Sequence, residues 1–216
     1  MDRPQPVSAE LDTDLHNLRQ LNRYFGSYRL IEHFLRRWLR PRTPMRVLDL
    51  ATGSGDIPRL VVDYARRIGA AVSVDAVDQQ RSTVEIARRL SANYPEIEFT
   101  EGDVMTFERE PYDVVLCSLA LHHFSEADAV TLLRRCRELS QRYVLVADLR
   151  RGWLATAGVY LLTSLCFREP MTQTDARLSA ERAFSFAEFR SLAELAGWKN
   201  FGHAKFAFAR QAIWIE

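Results

Sequence analysis

Four polar residues stand where predicted strands end, and their types suit a positively charged or hydroxyl-bearing ligand. They are Asp49, Asp78, Asp103 and Ser118. The carboxyl ends of parallel strands meet at one edge of a sheet, so we expect these side chains to face one cleft. Asp78 or Asp103 taken alone is as typical of a turn or helix-cap residue as of a ligand contact. The presence of all four residues at successive strand ends favours a ligand site.

A glycine-containing loop lies between the first predicted strand and the helix that follows it, and reads ATGSGDIP. Gly53 and Gly55 carry no Cβ, so backbone N–H groups can approach a ligand closely. Asp49 places a negative charge beside this loop, which disfavours a pyrophosphate. A dinucleotide-binding G-x-G-x-x-G motif would need glycine at position 58, where the chain has Pro58. A dinucleotide fold is therefore the weaker structural alternative.

Strands and helices alternate through the middle of the chain. Strands are predicted at 46–50, 72–77, 97–101, 113–118 and 143–148, and helices at 56–68, 82–93 and 127–139. Such alternation predicts a doubly wound, mostly parallel sheet with helices on both faces. Two last strands, 199–203 and 210–215, are joined too closely for a crossover helix and should be antiparallel. The predicted fold is therefore α/β, with a seven-stranded sheet and an antiparallel C-terminal strand.

We expect a single domain over 1–216, built from four parts. They are an N-terminal helical cap (1–44), a ligand-binding core (45–148), a substrate-side helical insert (149–184), and a C-terminal helix and β-hairpin (185–216). In the C-terminal part, Ser185 and Glu188 form a predicted capping box at the start of a helix.

The insert contains an apolar and a polar segment. Residues 153–167 are apolar nearly all round, which leaves three interpretations open: a substrate pocket wall, a homodimer interface, or ordinary core. Residues 169–182 are polar and contain Pro170, which predicts a loop, either one that closes over the site or a solvated one.

Composition limits the function classes. The chain has 216 residues, 47% of them hydrophobic, and a formal net charge of +1, so no overall field would recruit nucleic acid. No apolar stretch reaches the roughly 20 residues of a membrane span, and no signal peptide is expected. Three widely spaced cysteines predict neither a metal site nor a disulfide framework. A cytoplasmic location is the expectation that fits best.

The strand-end residues and the loop together resemble a class I S-adenosylmethionine-dependent methyltransferase. The segment VLDLATGSGD is similar to the glycine loop of the ubiquinone- and menaquinone-biosynthesis methyltransferases. The family's common loop is D/E-x-G-x-G-x-G, and Ala51 replaces its first glycine here. The resemblance covers Arg46 to Asp148 and implies S-adenosyl-L-methionine as cofactor, with S-adenosyl-L-homocysteine as product.

The resemblance also implies roles for individual residues. The methionine part of the cofactor would lie against Asp49 and the 51–55 backbone, and Ser118 would contact it too. Asp78 would bind the ribose diol, and Asp103 with the Val104 amide would bind the adenine. The implied cofactor-binding set is Asp49, Ala51, Gly53, Ser54, Gly55, Asp78, Gln79, Asp103, Val104 and Ser118.

His122 and His123 follow Ser118 and are the candidate general bases, because histidine titrates near neutrality. The alternative is that these histidines stand at the start of a helix and form hydrogen bonds with the backbone. Tyr24 and Phe25 are predicted either to cover the cofactor as a lid or to pack in a helical core. Arg182 is a candidate contact for an acidic or carbonyl group on the acceptor.

Two functions from different classes fit these patterns. The first is a methyltransferase acting on a small, apolar or aromatic molecule, with O-methylation favoured over C-methylation. The second is a non-catalytic or regulatory protein that keeps the fold and the cofactor site. Methylation of RNA is disfavoured, since the chain has no basic domain and reads SLALHHF after the fourth strand, where an N-P-P-Y-like motif would stand.

Overall fold

The computed structural model describes residues 7–167 and 169–216, so the first six residues of the predicted cap lie outside the described part. In that part the chain forms one seven-stranded sheet in the order β3-β2-β1-β4-β5-β7-β6. The strands are β1 (Met45–Leu50), β2 (Val72–Asp78), β3 (Ile97–Glu101), β4 (Tyr112–Ser118), β5 (Ser140–Leu149), β6 (Gly202–Phe206) and β7 (Arg210–Ile215).

Helices cover the sheet and one of its edges. They are α1 (Ala9–Tyr24), α2 (Ser27–Trp38), α3 (Asp56–Ile68), α4 (Arg81–Leu90), α5 (Glu126–Glu138), α6 (Trp153–Cys166), α7 (Pro170–Arg182) and α8 (Phe186–Leu195), with a short 3-10 turn at Leu121–His123. One apolar cluster packs α5 and α8 on one face of the sheet, and another packs α2 and α3 on the other face.

The sheet confirms the predicted fold class. Neighbouring strands from β3 to β5 are parallel, whereas β7 is antiparallel to both β5 and β6. The central strands are buried on both faces, and β4 reads as an apolar run for that reason. The parallel strands all end at one edge, where the chain turns into the predicted ligand-binding loops.

Two local predictions are wrong. The strand expected at 199–203 begins at Gly202, because Asn200 adopts a left-handed conformation (φ +53°) that interrupts an extended chain. The loop expected at 169–182 is the helix α7, since Pro170 occupies its first position, where the missing N–H costs nothing. The Gln173 and Arg177 side chains then hydrogen-bond one helical turn apart.

The C-terminal helix begins as predicted. The Ser185 hydroxyl accepts a hydrogen bond from the backbone N–H of Glu188, and the Glu188 carboxylate accepts one from the backbone N–H of Ser185. Both halves of the capping box are therefore formed.

Candidate functional site

The loop after β1 turns through three left-handed residues: Ala51 (φ +57°), Gly53 (φ +54°) and Gly55 (φ +73°). A Cβ at Gly55 would lie 2.7 Å from two ring carbons of Phe99, so a side chain there would collide with the core. A Cβ at Gly53 would meet no atom within 4 Å. The loop therefore packs tightly behind Gly55 and leaves open space in front of Gly53.

Asp49, at the end of β1, is buried and polar in an apolar strand. The Thr52 hydroxyl donates a hydrogen bond of 2.6 Å to its Oδ2. Burial, with smaller contributions from the nearby carboxylates of Asp56 and Asp78, raises the pKa of Asp49 to about 8, while the Thr52 hydrogen bond opposes the change. A bound cation would stabilise the ionised form of this carboxyl group.

Asp78, at the end of β2, holds the loop in place. Its Oδ2 accepts a hydrogen bond of 2.9 Å from the Gly53 N–H, and its Oδ1 accepts one of 2.9 Å from the Gln80 N–H. Burial raises its pKa, while these two N–H donors oppose the change. The side chain thus joins β2 to the glycine loop, 25 residues away in the chain.

Asp56, the first residue of α3, ties the N-terminal helices to this loop. Its Oδ2 accepts hydrogen bonds from the Asn22 amide at 3.0 Å and from the Tyr28 hydroxyl at 3.1 Å. A carboxylate at the start of a helix is favoured by the helix dipole. Asp49, Asp56 and Asp78 together form what we call the acidic end of the site.

A cleft of about 840 Å³ opens over this edge of the sheet. It brings together most of the residues that the sequence predicts for the site. Those that line it are Phe25, Asp49, Ala51, Gly53, Ser54, Asp78, Gln79, Val104, Ser118, His122 and His123.

Four predicted site residues do not line the cleft. Gly55 lies behind the loop, and Asp103 is exposed and accepts a hydrogen bond of 2.9 Å from the Met105 N–H, as a turn residue does. Tyr24 ends α1 with 64% of its surface exposed. Arg182 ends α7, away from the cleft wall. A lid role for Tyr24, an adenine contact for Asp103 and an acceptor contact for Arg182 therefore stay predictions.

His122 forms a buried pair with Asp148, the penultimate residue of β5. The two side chains are 4% and 1% exposed, and His122 Nδ1 lies 2.6 Å from Asp148 Oδ1. The backbone N–H of His122 also donates to Asp148 Oδ2 at 3.1 Å. The ring's other nitrogen, Nε2, is buried and has no hydrogen-bond partner among the described residues.

The Asp148 carboxylate fixes the state of the imidazole. A carboxylate only accepts, so the proton between the two groups lies on Nδ1, and in the neutral ring Nε2 is left as an acceptor. The Ser118 hydroxyl oxygen, also on the cleft wall, is likewise buried and has no hydrogen-bond partner among the described residues. A histidine with this backing carboxylate can take a proton from a hydroxyl group in the cleft.

Asp148 was not singled out by sequence reasoning. The available signal was its place at the end of a predicted strand next to the one that ends at Ser118. The pairing with His122 spans 26 residues and depends on the 3-10 turn that follows β4. No local sequence motif predicts the His122–Asp148 pairing.

Helices α1, α6 and α7 form an apolar roof over the cleft. The roof residues include Leu15, Leu18, Leu21, Val159, Leu162, Ala176 and Ala180. The exposed surface of α6 is apolar: Trp153 is 79% exposed, Leu161 63% and Leu165 76%, and the two leucines also border the cleft. Thus α6 is a wall of the cleft and also an exposed apolar surface, and the interpretation as ordinary core does not describe it.

In the described residues no group of three or more histidine, cysteine or acidic side chains is arranged to hold a metal ion. Across the same residues, no helix is both long and apolar enough to cross a bilayer. The cleft has three acids at one end, a His–Asp pair in the middle, and an apolar roof.

Comparison with known proteins agrees with the observed fold. Residues 47–142 match the family model of the methyltransferase domain. The 2-phytyl-1,4-naphtoquinone methyltransferase of Thermosynechococcus vestitus is 33% identical over 87 residues. That match covers 40% of this chain and 37% of the relative. The chain is thus aligned with less than half of that relative's length.

Two solved structures share the fold. A SAM-dependent methyltransferase from Aquifex aeolicus superposes with a TM-score of 0.65 at 16% identity, covering 94% of this chain and 96% of that one. Human N-acetylserotonin methyltransferase, solved with SAM, superposes with a TM-score of 0.67 at 16% identity, covering 96% of this chain and 55% of that one. The family resemblance and the fold predicted from the sequence are confirmed.

Proposed function

We propose that this chain, whose residues 47–142 match the methyltransferase domain, transfers a methyl group from S-adenosyl-L-methionine to a hydroxyl oxygen of a small, apolar or aromatic acceptor. The observation that carries the proposal is His122 Nε2, an unpartnered acceptor on the cleft wall with Asp148 bound behind it. The product would be S-adenosyl-L-homocysteine.

The acidic end fits this cofactor. Its ammonium and sulfonium groups are cationic, and Asp49 is a buried acid whose pKa of about 8 a cation would lower. The open space before Gly53 admits the methionine part against the loop backbone. We assign the ribose hydroxyls to Asp78 and Gln79, and the adenine to the Val104 side of the cleft.

The chain's own contribution to the reaction is orientation and proton transfer. When bound, S-adenosyl-L-methionine supplies a methyl group already activated by the sulfonium. His122 accepts the acceptor's hydroxyl proton at Nε2, and Asp148 stabilises the resulting imidazolium through Nδ1. The apolar roof holds the acceptor and excludes water, which strengthens these charge interactions.

A hydroxyl acceptor is favoured over carbon because the Nε2 of His122 has no hydrogen-bond partner among the described residues and could take the hydroxyl proton. The relative's name, a naphtoquinone methyltransferase, supports a ring-shaped apolar acceptor, and the human neighbour's name indicates another aromatic one. C-methylation of an enol or phenol would use the same base and is the second choice.

Calorimetry and a transfer assay test the proposal in two steps. Wild-type protein should bind S-adenosyl-L-homocysteine, and Asp78→Ala should weaken that binding at least about tenfold, since it frees the Gly53 N–H. His122→Gln should retain binding and lose about a hundredfold in methyl transfer to hydroxylated aromatic acceptors. His16→Gln, an exposed change on α1, is the matched control. An absence of cofactor binding by wild type would overturn the proposal.

A second function is favoured by one observation, the exposed apolar face of α6. On this alternative the chain binds the cofactor without turnover and uses that face as a homodimer or partner interface. Trp153→Glu, a change at an exposed position of α6 outside the cleft lining, would then lower the mass measured by light scattering. Under the enzyme proposal the same change leaves His122 and Asp148 in place.

A further inference from the structure

Two arginines line the same cleft at the end opposite the acidic end. Arg150 follows β5, and Arg210 begins β7, which pairs with β5 so that Leu149 lies opposite Arg210. The backbone N–H of Arg150 donates a hydrogen bond of 2.8 Å to the carbonyl oxygen of Ala209, the residue before Arg210. The two arginines therefore lie on neighbouring backbone segments. We call them the basic end.

Arg210 is held rigidly and is 8% exposed. Its Nε donates to the Ser27 hydroxyl at 3.0 Å and its Nη1 to the Phe208 carbonyl at 3.1 Å. Burial lowers its pKa to about 10, which the Asp148 charge partly opposes. At a pKa of about 10 it is still a cation at neutral pH.

Arg150 has an unfilled hydrogen-bond requirement. Its Nε is buried and has no partner among the described residues. In that part of the chain neither Arg150 nor Arg210 forms an ion pair within 4.0 Å. A buried guanidinium donor left unpaired costs free energy, which a bound anion would recover.

The strand order separates the two charged ends. Along the sheet edge, Asp78 belongs to β2, Asp49 to β1, Asp148 to β5 and Arg210 to β7. Three strand spacings lie between β1 and β7, which is about 14 Å. His122, paired with Asp148, therefore lies between the acids and the arginines, where the methyl acceptor belongs.

Resting on the proposed function, we infer that the acceptor is itself an anion: an apolar or aromatic body carrying a carboxylate or similar acidic group, bound by Arg150 and Arg210. The leucines of the roof contact the body, and the cation of the cofactor occupies the opposite end. The acidic end thus binds the cationic cofactor, and the basic end binds the anionic acceptor, within one cleft.

The test compares two fluorescent probes that share an aromatic body and differ in charge. 8-Anilinonaphthalene-1-sulfonate carries an anion, and N-phenyl-1-naphthylamine does not. Arg150→Gln should weaken sulfonate binding about tenfold while changing binding of the neutral probe less than about twofold. Arg142→Gln, an exposed arginine near the other end of β5, is the control and should change neither.

Arg210→Lys supplies a second variant that keeps the charge but loses the planar geometry, and it should weaken the sulfonate probe only. Equal losses for both probes in Arg150→Gln, or no measurable sulfonate binding by wild type, would overturn the inference. S-adenosyl-L-homocysteine binding is measured separately in the same variants. An absence of S-adenosyl-L-homocysteine binding by wild type would count against the proposed function. The comparison of the two probes would still test the inference about the arginines.

Discussion

The acidic end and the basic end are built in different ways. The acidic end depends mainly on local sequence: Asp49, the left-handed loop and Asp56 lie within eight consecutive positions. The basic end depends on a C-terminal hairpin that brings Arg210 beside β5 and against Ser27, 183 residues away. Residues at the acidic end can therefore be found from a motif, while those at the basic end need the folded chain.

The largest expected effect concerns the His122–Asp148 pair, which lies between the two ends. Asp148→Asn removes the charge that stabilises the His122 imidazolium, and it allows the wrong ring tautomer. We expect kcat to fall about a hundredfold to a thousandfold, with cofactor affinity changed less than about twofold.

The division of the effect between kcat and KM distinguishes this positioning role from a structural one. Asp148→Asn should lower kcat while changing the KM for the acceptor less than about twofold, because the roof that holds the acceptor is unchanged. Asp113→Asn, an acid at the opposite end of β4, is the control. A loss of cofactor affinity equal to the loss in kcat would show that Asp148 also supports the acidic end.

The next effect distinguishes the two glycines of the loop. Gly55→Ala adds a Cβ 2.7 Å from the Phe99 ring at a left-handed φ, so we expect unfolding free energy to fall by about 2–4 kcal/mol. Gly53→Ala meets no atom within 4 Å and should lose only about 1 kcal/mol of stability, yet it should weaken cofactor binding. Urea unfolding and calorimetry measure the two quantities. Equal stability losses would contradict this assignment.

Asp49 gives the acidic end a pH dependence. A cationic ligand stabilises the carboxylate, so below the free pKa of about 8 binding must release a proton. Affinity for S-adenosyl-L-methionine should therefore rise with pH, by up to about tenfold for each pH unit, and level off above about pH 8.

Asp49→Asn removes this dependence, whereas Asp103→Asn, on an exposed turn, should retain it. Calorimetry in buffers of different ionisation enthalpy reports the released proton directly. A wild-type affinity that does not change between about pH 6 and pH 8 would show that Asp49 is already ionised in the free protein.

The same contrast explains how much could be predicted from the sequence. The strand–loop–helix unit from β1 to α3 follows from apolar runs and glycine placement, and α3 was predicted with its observed ends. His122 was found from its position after Ser118, but Asp148 was not, because no periodicity links residues 26 apart. Helix α7 was missed because Pro170 was interpreted as a loop residue and not as a helix start.

The smallest expected effect concerns the roof near the acidic end. Asp14 on α1 is fully buried, and neither carboxylate oxygen has a hydrogen-bond partner among the described residues. Burial raises its pKa from 3.8 to about 6, so stability is lost as pH rises between those values, where only the unfolded chain ionises readily. Asp14→Asn should remove this loss and raise unfolding free energy at pH 7 by about 1 kcal/mol. Urea unfolding at pH 4 and pH 7 measures this difference. A variant less stable than wild type at pH 7 would show that the Asp14 carboxylate forms a stabilising interaction in the roof.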